Sequence, residues 1–366
     1  MAFGVGEAER LGSLTASLGH KALLVTGASF ARESGLAARL ERVLGEAGVA
    51  VVQVSSSGEP DAGTVDLAAL KGRETGVDVV VAVGGGSVLD LGKCAAGIIP
   101  NEGSIRDYLE GIGSGAVMKR DPLPFIAVPT TAGTGSEATR NAVVTWKDGR
   151  AKKSFRDSRL VPKIALVDPE LGLTAPPELT AACGMDALTQ LIEPLTSLNA
   201  LPFTDALAVS GLEALGPSLP RAVERGRDLD ARTGMAYAAL LSGMALSNAG
   251  LGAVHGLAGP LGARFPVPHS VACARLLPAV TAANIAALEA GRGPRRSLDG
   301  YRRAESALGG TVADYCGRFV FPGLSSFGMR RADIPAVIEA ATSGSMKTNP
   351  VVLTAAELTA ILEEAL

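Results

Sequence analysis

The sequence predicts a doubly wound α/β domain over residues 1–175, followed by an all-helical domain over residues 176–366. In the first half, short runs made entirely of apolar residues alternate with segments of helical periodicity. That alternation is typical of a parallel sheet covered by helices on both faces. The second half is rich in alanine and leucine and has helical periodicity, with no strand pattern of comparable strength. The change in pattern predicts a domain boundary near residue 175.

The elements of the first half follow one another along the chain. Five apolar runs predict buried strands, namely HKALLVTG, VAVVQV, VDVVVAVGGG, PFIAVPT and KIALVDP. GLAARLERVLGEAG and TVDLAALKGRETG lie between the first three runs and carry apolar residues at helical spacing. Sheets of this kind bind ligands at the carboxyl ends of their strands, so we expect a ligand site at that edge.

The second half divides into helices at proline and glycine residues. The predicted helices are PPELTAACGMDALTQLIEP, FTDALAVSGLEALGPSL, ARTGMAYAALLSGMALSNAG, VACARLLPAVTAANIAAL, RADIPAVIEAAT and TAAELTAILEEAL. The short basic stretch ALEAGRGPRRSLDGYRRAE is interpreted as a solvated loop and helix face.

The amino-acid composition indicates which classes of protein this chain does not resemble. The 366 residues are 47% hydrophobic and 19% charged with a net charge of -3, which indicates a soluble globular protein with no nucleic-acid partner. The most apolar stretch, around VDVVVAVGGGSVLDLGK, is interrupted by glycines and charges, so no membrane association is expected. The start of the chain lacks the pattern of a signal peptide. The four cysteines have no CxxC spacing, which favours reduced thiols in the cytoplasm.

Glycines and a serine follow the third strand. Gly84, Gly85, Gly86 and Ser87 stand between a buried strand and a helix. Glycines there let the backbone approach a ligand, and the helix N-terminus presents free N–H groups to a phosphate. Neither the Walker spacing nor G-x-G-x-x-G is present. The loop therefore predicts phosphate binding of a different kind, although a tight structural turn is the alternative.

A second polar loop follows the next strand. It reads PTTAGTGSEAT and contains Thr130, Thr131 and Ser136. Small hydroxyl groups and glycines suit hydrogen bonds to a ribose or a pyrophosphate. A Ser/Thr-rich turn with a helix cap explains the same residues equally well.

Six segments in register resemble one family. GGGSVLDLGK, PTTAGTGSEAT, VDPEL, GMDALTQLIEP, HGLAGPLG and PHS occur in the order and at the spacing of the iron-containing (group III) alcohol dehydrogenase family, which includes maleylacetate reductases. The resemblance covers essentially the whole chain. It implies a nucleotide-binding N-terminal domain, a helical C-terminal domain and a site in the cleft between them.

The resemblance also assigns cofactor contacts. It implies NAD(P)H held by the first loop (Gly84, Gly85, Gly86, Ser87, Asp90), the second loop (Thr130, Thr131, Ser136) and Lys153. The Lys153 match is the weakest of these. Where the family often has an acidic residue after the first strand, this chain has Gly27. A carboxylate there would repel a 2′-phosphate, so we expect NADPH to be accepted alongside NADH.

The resemblance implies a divalent metal, Fe²⁺ or Zn²⁺. The family's ligand positions correspond to Asp186, Gln190, His255 and His269, with Asp186, His255 and His269 carrying the catalytic role. Asp186 and Gln190 are four residues apart and share a helix face. Gln190 stands where the family has a histidine ligand. Gly259 stands where it has a further active-site histidine.

Three interpretations of this set stay open. In the first, the ion binds, because two histidines and a carboxylate suffice for Fe²⁺ or Zn²⁺ and the glutamine oxygen adds a weak ligand. In the second, the metal is lost, as in the maleylacetate reductase branch. In the third, these are hydrogen-bonded core residues. Retention of Asp186 counts against the second, since a carboxylate without its ion repels an acidic substrate.

The function implied is that of an NAD(P)-dependent alcohol dehydrogenase or aldehyde reductase acting on a small-molecule alcohol or aldehyde. Gly259 predicts a roomier, less polar pocket than in relatives. A lyase of the dehydroquinate-synthase type would need several basic residues around a substrate phosphate, and the helical half has no such cluster near the motifs. A cofactor-binding protein with altered catalysis is the other alternative. A homodimer is expected from the family.

Overall fold

The computed structural model describes residues 1–28, 35–146, 151–341 and 344–366. These residues form two compact units. One comprises Met1–Thr131 and Ser136–Gly172, and the other comprises Ala132–Gly135 and Leu173–Leu366. The prediction of a parallel α/β fold followed by a helical region is confirmed.

A parallel six-stranded sheet forms the centre of the first unit. Its strand order is β1-β8-β5-β4-β2-β3. The strands are β1 (Ala2–Phe3), β2 (Lys21–Gly27), β3 (Ala50–Ser56), β4 (Val79–Gly84), β5 (Phe125–Pro129) and β8 (Ile164–Val167). All residues of β4 and β5 are buried, which explains why these strands read as unbroken apolar runs.

Helices cover this sheet. They are α1 (Leu11–Ala16), α2 (Leu36–Glu46), α3 (Ala62–Thr75) and α4 (Gly86–Ile98). α3 begins where the Asp61 carboxylate accepts a hydrogen bond from Thr64 N at 2.8 Å, and it ends at Gly76, whose φ of 65° suits glycine. This predicted helix therefore has ordinary start and stop signals.

Besides α1, two strand features of the first unit were not predicted. β1 is a two-residue edge strand paired with β8, too short to leave a periodic signal. β6 (Asn141–Trp146) and β7 (Ala151–Arg156) form a separate antiparallel pair. Exposure alternates along part of β6. A search for fully apolar runs misses such strands, because only one side chain in two is buried.

The second unit is helical throughout its described residues. Its α-helices are α5 (Pro177–Thr196), α6 (Pro202–Glu224), α7 (Leu229–Ala249), α8 (Ala253–Arg264), α9 (His269–Glu289), α10 (Arg295–Leu308), α11 (Val312–Cys316), α12 (Ile334–Ala340) and α13 (Ala355–Ala365). Their buried apolar faces form one core cluster. The helix predicted over residues 331–342 begins with a short 3₁₀ turn, and its last residue lies outside the described residues.

One helix, α9, is long and apolar enough to cross a membrane, and the bent pair α7 and α8 would pass the same length and hydropathy test together. Of the most apolar window in α9, 61% is buried against the rest of the unit. Core helices of globular domains have this character.

In the basic stretch, the exposed side chains of Arg296 and Arg303 pair with Asp205.

Candidate active site

The two predicted cofactor loops meet at the carboxyl edge of the sheet. Gly84 lies opposite Pro129 in the register of β4 and β5, and Thr130 N donates to the Gly84 carbonyl at 3.0 Å. A side chain at Gly85 would come within 3.3 Å of Thr131 Oγ1. The structure therefore brings the first loop together with Thr130 and Thr131, where α4 begins at Gly86. Backbone N–H groups at such a helix start suit a phosphate.

Asp90 and Ser136 lie in a buried network around Lys93. The Lys93 ammonium donates to the Ser136 and Asn141 carbonyls, both at 2.8 Å, and to Thr139 Oγ1 at 2.9 Å. Ser136 Oγ in turn donates to Asp90 Oδ1 at 2.8 Å. These contacts connect α4 to the second loop. The cofactor roles of Asp90 and Ser136 stay predictions.

Burial shifts the pKa values of the titratable groups in this network. Burial lowers the pKa of Lys93 to about 8, although Asp90 opposes the shift. Burial also raises the pKa of Asp90, against the attraction of Lys93. The Glu137 carboxyl beside them has its pKa raised by burial to about 7. Each buried group is thus pushed towards its neutral form.

Lys153 lies on the hairpin. It pairs in register with Val144 on β6, and a side chain at Gly111 would lie 3.5 Å from its ammonium. The six-stranded sheet does not carry Lys153, so its predicted contact with a cofactor rests on the resemblance alone.

Three helices of the second unit bring the predicted metal residues together. Asp186 and Gln190 lie on α5, His255 lies on the first turn of α8, and His269 is the first residue of α9. Asp186 Oδ1 is 3.5 Å from His255 Nε2 and 3.8 Å from His269 Nε2. The sequence-predicted aspartate and both histidines therefore face one point.

Cys273 joins this cluster and was missed by the sequence analysis. Its Sγ lies 3.7 Å from His269 Nε2 and 4.0 Å from His255 Nε2. The ligand atoms of Asp186, His255, His269 and Cys273 all lie within 4.8 Å of one another. The available signal was the four-residue spacing from His269, which places both side chains on one helix face.

Glu193 fixes the orientation of His255 and was also missed. His255 Nδ1 lies 2.6 Å from Glu193 Oε2, and Val254 N donates to Glu193 Oε1 at 2.7 Å. A histidine that donates its Nδ1 proton to a carboxylate keeps Nε2 free for a metal. Glu193 lies seven residues after Asp186 in the same GMDALTQLIEP segment, and its sequence signals were that segment and the helical spacing.

The side-chain oxygen of Gln190 is hydrogen-bonded to another protein group. Its Oε1 accepts a hydrogen bond from the buried Ser242 hydroxyl at 3.0 Å. Gln190 also lies beside the Asp186 carboxylate and, after His255 and His269, makes the smallest contribution to lowering the pKa of Asp186. The amide oxygen of Gln190 is thus engaged by Ser242, and its role as a metal ligand stays a prediction.

The electrostatics of the cluster suit a cation. Burial alone would raise the pKa of Asp186 and of the Cys273 thiol, but the two imidazoles outweigh it and lower both. Burial alone would lower the pKa of His255, but Cys273 and Glu193 raise it. Cys273 likewise raises the pKa of His269. Asp186 Oδ1 is buried without a hydrogen-bond partner, and such an orphaned anionic oxygen fits a divalent metal.

Gly259 leaves open space on α8. A side-chain carbon built at this position meets no atom within 4 Å. The space that the family's histidine would fill is therefore open, in keeping with the expected larger pocket.

Two family models match the chain. The iron-containing alcohol dehydrogenase model matches residues 1–169, and the Fe-containing alcohol dehydrogenase C-terminal model matches residues 180–366. Together they span both units.

Individual relatives agree with these matches. The chain is 40% identical over 278 residues to a probable alcohol dehydrogenase, EutG, of Escherichia coli, covering 76% of this chain and 69% of the relative. It is 34% identical to the NAD-dependent methanol dehydrogenase of Bacillus methanolicus, covering 78% and 74%. The crystal structure of an archaeal alcohol dehydrogenase from a Red Sea brine pool, ADH/D1, superposes with a TM-score of 0.91 at 29% identity, covering 100% of this chain and 96% of the other.

Proposed function

The chain belongs to the iron-containing alcohol dehydrogenase family, and we propose that its Asp186, His255 and His269 hold the divalent ion for hydride exchange between NAD(P)H and a carbonyl carbon. The protein is an oxidoreductase that acts on CH–OH groups, with small alcohols or aldehydes as substrates. The observation that carries the proposal is the convergence of these three side chains around the unpartnered Asp186 Oδ1.

Each residue of the site has a separate proposed role. Asp186 supplies negative charge, the histidines supply nitrogen ligands, and Glu193 orients His255 through Nδ1. Held by these residues, a divalent ion would supply the Lewis acidity that polarises a carbonyl oxygen and stabilises an alkoxide. The nucleotide is assigned to the loops at Gly84–Gly86 and Thr130–Thr131, which meet at the carboxyl ends of β4 and β5 where α4 begins. With Gly27 at the end of β2, we expect NADPH to be accepted as well as NADH.

Assembly and location are carried over from the family and the composition. We propose a homodimer in the cytoplasm, and all four cysteines being free thiols agrees with a reducing compartment. Light scattering on the purified protein tests the dimer.

Steady-state assays over aldehydes of increasing bulk, with NADH and with NADPH, test the function. We expect turnover with both nucleotides and acceptance of the larger aldehydes, because Gly259 leaves space. The variant Gly259→His should lose activity with bulky aldehydes more than with small ones. Activity confined to the smallest aldehydes would contradict the size prediction, and absence of hydride transfer would contradict the function.

Chelation followed by metal readdition tests the role of the ion. Activity should fall on chelation and return with Fe²⁺ or Zn²⁺. Full activity of a metal-free preparation would contradict metal-assisted transfer and favour the metal-independent branch.

A further inference from the structure

We propose that Cys273 is the fourth protein ligand of this ion, in place of the family's histidine at position 190, and that the set Asp186, His255, His269 and Cys273 selects Zn²⁺ over Fe²⁺. The inference rests on the proposed function and deepens it, because it concerns the same site.

The position of Cys273 follows from the helix. His269 and Cys273 are separated by one turn of α9, so their side chains leave the same face. Sγ lies nearer to His269 Nε2, at 3.7 Å, than to His255 Nε2, at 4.0 Å. The sulfur atom of Cys273 therefore belongs to the same cluster as the other three ligand atoms.

The distances have the size of a metal coordination shell. Zinc bonds of about 2.0–2.1 Å to nitrogen and about 2.3 Å to sulfur place tetrahedral ligands about 3.3–3.6 Å apart. Of the ligand-atom separations, 3.5 Å lies within this range, and 3.7 Å, 3.8 Å and 4.0 Å exceed it slightly. All four ligand atoms lie within 4.8 Å of one another.

One observation argues against Gln190 as a ligand, and a second points to an ion within the cluster. The oxygen of Gln190 already accepts a hydrogen bond from Ser242, whose side chain is fully buried. Asp186, 2% exposed, keeps Oδ1 without a partner inside the cluster. The carboxylate oxygen is thus available to a cation, whereas the glutamine oxygen accepts from a hydroxyl donor.

The donor set decides the metal. Thiolates are soft ligands and select Zn²⁺ over harder ions, and the intrinsic order of affinity also places Zn²⁺ above Fe²⁺. Zinc tolerates a fifth ligand, so four protein ligands still leave room for a substrate oxygen. The His269 side chain is 35% exposed, which leaves one side of the cluster open to solvent.

Cobalt spectroscopy tests the ligand directly. The full-length protein is stripped with a chelator and reloaded with Co²⁺, which adopts zinc sites and gives a near-ultraviolet charge-transfer band when a thiolate binds. We expect this band in the wild type and its loss in Cys273→Ser. The matched control is Cys316→Ser, since Cys316 is buried in the same unit outside the cluster and should leave the band unchanged.

Metal competition provides a second readout. Cys273→Ser should weaken Zn²⁺ binding at least about tenfold, the lower end of the loss found when a ligand's hydrogen-bond partner is removed. The double variant Cys273→Ser with Gln190→His should recover metal binding without the band and with a lower preference for Zn²⁺ over Fe²⁺. Mass-spectrometric mapping of alkylated thiols should show Zn²⁺ protecting Cys273 in the wild type, which covers the case of a poorly folded variant.

The outcomes separate this inference from the proposed function. Metal uptake without the band, a band that persists in Cys273→Ser, or no metal uptake at all would overturn the thiolate ligand. Aldehyde turnover with any of these results leaves the oxidoreductase function standing. A thiolate band in a protein that turns over no aldehyde supports the ligand and contradicts the function.

Discussion

At the scale of single residues, the site depends on partners other than the predicted ligands. His255 has one nitrogen 2.6 Å from Glu193 and the other facing Asp186. The same glutamate also binds the backbone N–H of Val254, so one carboxylate fixes both the ring and the start of α8. Glu193 therefore acts through His255 as a positioning residue.

Glu193→Gln should weaken metal binding by roughly 10- to 100-fold, the loss typical of removing a ligand's hydrogen-bond partner. The amide keeps the volume of the carboxylate but loses its charge. The measurement is a chelator competition for Zn²⁺ and Fe²⁺. Glu178→Gln, at an exposed position in the first turn of the same helix, is the matched control and should bind metal as the wild type does. Equal affinities for both variants would show that Glu193 has no part in holding the ion.

The residues that the sequence predicted and those it missed differ in a physical way. Asp186, His255 and His269 stand in recognisable segments, and the structure brings them together. Glu193 stands in the same segment as Asp186 and Cys273 stands outside the quoted segments, but the role of each becomes visible only where α5, α8 and α9 approach one another. A spacing of four or seven residues places side chains on one face, but it does not say which face meets another helix.

At the scale of elements, two helix glycines of the second unit have opposite surroundings. Gly184 on α5 lies where any side chain would overlap Leu219 of α6, so glycine is required for the two helices to approach. Gly259 on α8 has open space around it. The sequence alone shows two mid-helix glycines and does not distinguish them.

The pair Gly259→Ala and Gly184→Ala turns this difference into opposite stability changes. Gly259→Ala should stabilise the protein by about 0.5–1 kcal/mol, because alanine loses less backbone entropy in a helix. Gly184→Ala should destabilise it by about 1–3 kcal/mol through overpacking against Leu219. Thermal unfolding followed by circular dichroism measures both. A lower melting temperature for Gly259→Ala would mean that its surroundings are filled.

Element prediction succeeded where the period was unambiguous. The strands β2, β4 and β5 read as unbroken apolar runs because nearly all of their side chains are buried. The hairpin β6 and β7 escaped because a strand with one exposed face resembles a polar loop in a short window. The fold class can thus be predicted from strands that are buried on both faces. Strands with one exposed face can be identified only when their tertiary contacts are known.

At the scale of the whole molecule, buried charge in the first unit couples its stability to pH. Glu137 is 3% exposed, and burial raises its pKa from 4.5 to about 7. Below pH 4.5 the folded and unfolded chains both hold this proton. As pH rises towards 7, the unfolded chain releases the proton while the folded chain keeps it, so the free energy of unfolding falls. Above pH 7 the full cost, a few kcal/mol at about 1.4 kcal/mol per pKa unit, is present.

Glu137→Gln should remove this dependence, since the amide stays neutral at every pH. We expect the stability of the variant relative to wild type to rise steadily between about pH 5 and about pH 8. Trp146 is the only tryptophan in the chain and lies in the same unit as Glu137, so its fluorescence follows the unfolding of that unit. Other titrating groups are common to both proteins and cancel in the difference. Glu170→Gln, at an exposed position of this unit, should show a difference that does not vary with pH. A constant difference for Glu137→Gln as well would mean that the buried carboxyl is ionised in the folded protein throughout, held by the Lys93 ammonium.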